Sequence, residues 1–236
     1  MFLKSVGDMR TFTKVELARC NGRNGAPTFI AYERRFGAGN QREVSFPFSF
    51  QHHDTGTWFG GVGDIALGYK RLVFSSLRTG SILSVQGEAI LPTGNRAGGF
   101  GTGVTVFETF ASYGQLLPDK SFLQFQSGVE LPTDTAKANR AVYWRTAFGK
   151  SLNQGMGLGR MWTPMVELLA DRELATGEKT NWDLLPQFQV TLSRRQHIRA
   201  NVGVRVPVND FGSRPMQVMF YLLWDWFDGG LLEGWK

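Results

Sequence analysis

Hydrophobic and polar residues alternate with a period of two along most of this chain. Ile198, Ala200, Val202, Val204 and Val206 fall on one side of an extended backbone, and Arg199, Asn201, Gly203 and Arg205 on the other. Val44, Phe46, Phe48 and Phe50 alternate with Glu43, Ser45, Pro47 and Ser49 in the same way. So do Leu184, Pro186, Phe188, Val190 and Leu192 with Asp183, Gln187, Gln189 and Thr191. Near the end, Met216, Val218, Phe220, Leu222, Trp224 and Trp226 share one side. Such alternation marks β-strands whose two faces meet different media. It predicts about twelve strands, near 10–18, 27–36, 42–51, 61–74, 80–91, 102–115, 120–131, 140–150, 159–171, 181–193, 196–207 and 214–227. The segment 102–115 does not declare which of its faces is apolar. No segment carries a sustained helical stripe.

The connections alternate too. Short joints follow the second, fourth, sixth and tenth strands, the joint after the eighth, Ser151 to Leu158, is longer, and loops often longer and rich in Gly, Asp, Asn or Thr follow the third, fifth, seventh, ninth and eleventh. Short turns at one end and long loops at the other are the pattern of an outer-membrane β-barrel. Glu88 to Gly94, Glu130 to Asp134 and Arg205 to Asp210 each end a strand with an apolar residue, a proline and a turn. Pro47, Pro164 and Pro186 fall inside predicted strands, where proline cannot donate to a ladder. They belong at bulges or strand ends.

Alternation alone does not say whether the apolar face meets lipid or a dry protein centre. Strand length favours lipid, since several spans reach the 9–11 residues of a tilted bilayer crossing. So do the aromatics near strand ends: Trp58, Tyr69, Trp144, Trp162, Trp182, Trp224 and Trp226. Amphipathic rings are favoured at membrane interfaces. The fold class predicted is all-β, a closed antiparallel transmembrane barrel of about 12 strands. Residues 1–26 form an N-terminal segment that could hold a first strand, 27–227 the barrel and 228–236 a tail.

Composition narrows the picture. Among 236 residues, 42% are hydrophobic, 19% charged and the net charge is only +6, which excludes a disordered chain. No apolar run is long enough for a transmembrane helix, and Met1 to Asp8 is too polar for a signal segment. A mean hydropathy of −0.19 is what alternating barrel strands average to. The single cysteine excludes a disulfide scaffold. The basic residues Arg71, Arg78, Lys120, Arg194 and Arg195 gather at the short-turn end, so acidic headgroups or a periplasmic partner suit them and nucleic acid does not.

The polar face, which would line the lumen, carries Glu33, Arg35, Glu43, Asp64, Lys70, Glu88, Glu108, Glu130, Arg145, Glu167, Arg199, Arg205 and Asp225. Such charges act as a selectivity ring or as a structural network, and a narrow lumen crossed by Glu–Arg pairs is expected. Other chemistry finds little support. Adjacent His52 and His53 point to opposite faces of a strand, which does not suit one metal ion. Cys20 has no haem or lipidation context. The runs 98–103 and 155–159 lack the lysine of a phosphate loop and read as turns. His197 has no serine partner identifiable from sequence. No catalytic residue, metal or cofactor is predicted.

Gly61-Val-Gly-Asp-Ile-Ala-Leu-Gly-Tyr-Lys-Arg71, followed by Leu91-Pro-Thr-Gly94, resembles the bacterial outer-membrane barrels of the "meta-pathway of phenol degradation", or transporter-like, family. The resemblance implies an outer-membrane barrel that passes hydrophobic or aromatic compounds and has no catalytic residues to carry over. A passive channel in the bacterial outer membrane is therefore expected, with the lipid bilayer as its partner. The alternative is a scaffold barrel with a blocked lumen whose loops or C-terminal tail bind proteins. A soluble β-sandwich or lipid-carrying barrel is the third reading.

Overall fold

The computed structural model describes residues 11–20, 23–52, 58–153, 161–192 and 198–224. The strands are β1 (Thr11–Cys20), β2 (Arg23–Phe36), β3 (Asn40–His52), β4 (Trp58–Val62), β5 (Ala66–Ser76), β6 (Ser81–Ile90), β7 (Val106–Leu116), β8 (Ser121–Pro132), β9 (Ala141–Lys150), β10 (Leu152–Asn153), β11 (Met161–Glu173), β12 (Asn181–Thr191), β13 (Ile198–Pro207) and β14 (Gln217–Trp224). β4 and β5 both pair with β3 and together make one strand interrupted at 63–65. β10 pairs with β11 in the register of β9 and prolongs it. Among the described residues the sheet thus has twelve long members, one for each predicted span.

Every pairing is antiparallel. The pairings run from β11 through β12, β13, β14, β1, β2, β3, β4 with β5, β6, β7 and β8 to β9. β9 in turn pairs with β11, from Met165↔Gly149 to Glu173↔Ala141. β1 lies between β14 and β2, so the first strand is a full member of the sheet. Residues 37–39, 77–80 and 117–120 make short turns at one end. Residues 91–105, 133–140, 174–180 and 208–216 make longer loops at the other.

The prolines sit where ladders are broken. Pro47 lies opposite the interruption between β4 and β5, and its carbonyl accepts from Gly63 N at 2.8 Å. Pro164 lies on β11 between the stretch that pairs with β9 and the stretch that pairs with β10. Pro186 falls between Leu184↔Val206 and Gln187↔Gly203, where the pairing of β12 with β13 is interrupted without a change of register. A residue without an N–H costs little where no bond was to be made.

The two faces are inverted relative to a water-soluble protein. Ile30, Phe46, Phe50, Leu67, Val85, Phe107, Phe125, Phe148, Leu184, Val202, Val204 and Phe220 are exposed. Glu33, Gln41, Glu43, Lys70, Gln86, Glu88, Gln126, Glu167, Asp183, Gln187 and Asn201 are buried. A dry core of the sandwich kind would bury the first set. β7 was illegible because its buried face is mixed: Val106 and Phe110 stand in line with Glu108 and Ser112.

The buried face is not uniformly polar, which corrects the simple expectation of a polar lining. Ala31, Leu169, Leu185, Met219, Tyr221 and Leu223 form an apolar cluster, with Phe29 packed against it. It joins β2 to β11, β12 and β14. In β14 this makes both faces apolar, since the exposed Val218 and Phe220 alternate with the buried Met219 and Tyr221. Replacing exposed Val202 in mid-β13 by arginine should destabilise the protein in a bilayer by about 2–3 kcal/mol. Urea unfolding in lipid vesicles checks this.

Candidate functional site

A row of glutamates crosses the buried face. Cross-strand register places Glu33 opposite Glu43, Glu43 opposite Gly68, Gly68 opposite Glu88, Glu88 opposite Glu108 and Glu108 opposite Glu130. Directly opposed residues share a face, with Cβ atoms about 4.5–5.5 Å apart. Gly68 holds the one place in this row without a side chain. A Cβ there would stand 3.1 Å from Glu88 Cγ and 3.3 Å from Glu43 Cβ. Gln86 bridges this place, its Nε2 donating to Glu88 Oε1 at 2.5 Å and to Glu43 Oε2 at 3.3 Å. Gln41 Nε2 donates to Glu33, Ser45 Oγ to Glu43 at 2.9 Å, and the Tyr143 hydroxyl to Glu108.

Cations flank the row. Lys70 is buried beside Gln41 and Gln86 in the register. Arg145 lays its guanidinium over the Tyr143 ring, 4.6 Å from the centroid. Arg35 lies at the short-turn end, where it lines a cavity of ≈ 510 Å³ with Gln41, Lys70 and Ser84. Arg199, opposite Thr191 and Leu223, also lies toward that end. On the remaining wall, Asn201 Nδ2 donates to Gln187 Oε1 at 2.9 Å, and Gln187 Nε2 donates to Glu167 Oε1 at 2.6 Å.

A second cluster lies at the long-loop end. Asp183, 1% exposed, accepts from Arg205 Nε at 2.8 Å and from Arg214 at 2.5 Å. Arg205 also reaches Asp171 at 3.5 Å, and Asn181 Nδ2 donates to Asp171 at 3.1 Å. Arg205 is thus part of a rim network. Asp183, Asp171 and Arg214 were not singled out in the sequence, because only the register puts Asp183 opposite Pro207 and within reach of Arg205.

Asp64 does not join the acid row. Its Oδ1 accepts from Gly94 N at 2.8 Å, and its Oδ2 accepts from Thr102 N at 2.7 Å and Thr102 Oγ1 at 2.8 Å. Thr93 Oγ1 accepts from Ile65 N at 2.9 Å. The Gly-Asp and Leu-Pro-Thr-Gly motifs therefore bond to each other and hold down loop 91–105. Phe100 of this loop packs edge-on against Phe59, 5.6 Å between centroids. It covers Gly61 so closely that a Cβ there would be 2.3 Å from its ring.

The aromatic residues on the exposed face lie toward the two ends. Trp144 and Trp182 meet edge to face at 5.1 Å near the long loops. Trp162 packs with Phe188 at 5.3 Å near the short turns, where Tyr69 also lies and its hydroxyl donates to Asn40 at 2.7 Å. Trp58 and Trp224 are terminal residues of β4 and β14. Asp225, Trp226, His53, Asp54, His197 and the tail lie outside the described residues. In the β8–β9 loop, a hydrogen bond from Lys137 and one from the Ala136 N–H hold the exposed Asp134 carboxyl below its usual pKa. Among the described residues, no three His, Cys, Asp or Glu side chains group as metal ligands do.

No family model matches this chain, and no curated protein matches it. Solved structures do. The COG4313 outer membrane channel from Pseudomonas putida F1 aligns with a TM-score of 0.57 at 14% identity, over 93% of this chain and 96% of that one. The β domain of the Bordetella autotransporter BrkA aligns with a TM-score of 0.53 at 14% identity, over 94% of this chain and 100% of that one. The fold is that of outer-membrane β-barrels.

Proposed function

We propose that this chain is a closed twelve-stranded barrel in the bacterial outer membrane that passes small solutes passively through its lumen. The observation that carries the reading is the inversion of faces: large apolar side chains on the exposed side of nearly every strand, and carboxylates, amides and hydroxyls enclosed. Only a surrounding of hydrocarbon makes that distribution favourable. Two edges paired on every long strand support closure, because a strand edge left unpaired in lipid is costly. The likeness of fold to an outer membrane channel supports the same reading. On it, Glu33, Arg35, Glu43, Lys70, Glu88, Glu108, Glu130, Arg145, Glu167, Arg199 and Arg205 face the lumen, and the Trp and Tyr residues mark the interfaces.

The polar wall suits solutes that form hydrogen bonds better than the hydrophobic or aromatic compounds the family resemblance implies. The apolar cluster around Met219 and Leu185 favours the rival, a scaffold barrel with a blocked lumen. Proteoliposomes decide between them. A channel releases a trapped small solute faster than empty vesicles; a blocked scaffold releases it at the rate of bare lipid.

A further inference from the structure

On the outer face of the sheet, toward the long loops, β8, β9, β11 and β12 set four residues in one row. Cross-strand register places Ser127 opposite Trp144, Trp144 opposite Ala170 and Ala170 opposite Trp182. Ser127 and Trp144 are exposed, and Ala170 alternates with Leu169 and Asp171, which turn inward. The alanine methyl is short. The two indoles lean over it, meet edge to face and leave Ala170 only 7% exposed. An open hollow of ≈ 350 Å³ adjoins the pair, and its wall includes Ser127, Trp144, Ala170, Arg172, Thr180 and Trp182.

Two arginines stand just beyond this hollow. Arg172 lies two residues past Ala170 on the same face, opposite Val142. The Leu174 N–H donates to the Arg140 carbonyl at 2.7 Å, which carries the β9–β11 ladder one step past Glu173↔Ala141. Alternation then sets Arg140 on the outer face as well, diagonal to Arg172 and within reach of a long side chain. Both arginines are exposed, and among the described residues neither guanidinium has an ion pair. The acids on either side of Arg172 fall on the other face of β11. Asp171 is held by Asn181 and Arg205, and Glu173 accepts from Asn139 Nδ2 at 2.7 Å.

A guanidinium binds phosphate through a fork of N–H donors, and amphipathic rings settle where headgroups meet hydrocarbon. Two cations set immediately outside a pair of indoles are therefore complementary to an anionic headgroup whose chains run down the sheet. The geometry points to a site for one phosphate-bearing lipid of the leaflet at the long-loop end. Arg140 and Arg172 hold its phosphate, and an acyl chain lies in the hollow against Trp144, Ala170 and Trp182. The inference rests on the bilayer reading and not on conduction.

The test is tryptophan quenching in phosphatidylcholine vesicles that carry a small fraction of lipid brominated near the headgroup. Brominated phosphatidic acid should quench as though concentrated about tenfold around the protein, relative to brominated phosphatidylcholine. Arg140→Gln with Arg172→Gln should bring that ratio to within about twofold. Arg71→Gln, an exposed arginine near the short turns, should leave it unchanged. Unaltered quenching by brominated phosphatidylcholine shows that each variant has inserted. Equal quenching by the two lipids overturns the inference, as does a preference that survives the double substitution or falls as far in Arg71→Gln. Loss of the preference in millimolar inorganic phosphate overturns it too, since the site would then take the free anion. No quenching by either lipid refutes the bilayer reading and the inference together.

Discussion

Asp64→Ala should release loop 91–105 from the sheet and lower stability by about 3–4 kcal/mol. The carboxylate accepts three hydrogen bonds, from Gly94 N, Thr102 N and Thr102 Oγ1. Bonds to a charged acceptor contribute about 1.5–3 kcal/mol each, and three on one group do not simply add. Without them the two backbone donors lose their acceptor, and Phe100 loses the frame that seats it over Gly61. Asp64→Asn retains an acceptor at one position and should cost less. Trypsin provides the check. Arg96 is exposed within the loop, and cleavage after it should accelerate in Asp64→Ala while the strands stay protected. Unchanged cleavage would mean that the loop is held by other contacts.

Asp183→Ala should cost about 3 kcal/mol, near the lower end of the range for removing one partner of a buried ion pair. The lower end applies because the two arginines keep other partners. Arg205 retains Asp171 at 3.5 Å. Arg214 retains the Trp182 carbonyl at 3.3 Å and Asn209 at 3.4 Å. What is lost is the one carboxylate that ties β12, β13 and loop 208–216 together. Arg214→Ala leaves Asp183 with Arg205 and should cost less, about 1.5 kcal/mol. Urea unfolding in vesicles ranks the two. Equal losses would show that Arg214 carries the cluster.

Much of this fold was legible because the strand period is two and lipid and water sit on opposite faces. The run from Ile198 to Val206 reads correctly from letters alone, since Val202 and Val204 are exposed and Asn201 and Gly203 buried. Even the prolines were informative, because a residue without an N–H belongs where a ladder has a gap. The site was less legible. That Glu33, Glu43, Glu88, Glu108 and Glu130 share one row depends on register, a relation between strands that a single strand's sequence does not contain. Asp64 looked like one more charge on the polar face. Its partners are two backbone amides and the Thr102 hydroxyl, far along the chain, and hydrogen bonds to such neutral groups leave no charge pattern to read. The apolar cluster was hidden for a related reason: Met219, Tyr221 and Leu223 alternate with residues that are apolar too, so periodicity is silent in β14.

Whether the apolar face meets lipid is tested most directly by accessibility scanning of β13 in lipid vesicles. Single cysteines are introduced from 198 to 206 in a Cys20→Ser background and spin-labelled. Collisions with oxygen, which concentrates in hydrocarbon, and with a water-soluble nickel chelate are then compared. A period of two is expected, with 202 and 204 oxygen-accessible and shielded from nickel, and 201 and 203 shielded from oxygen. The opposite phase, with Val202 and Val204 shielded from oxygen and Asn201 facing the surroundings, would contradict it.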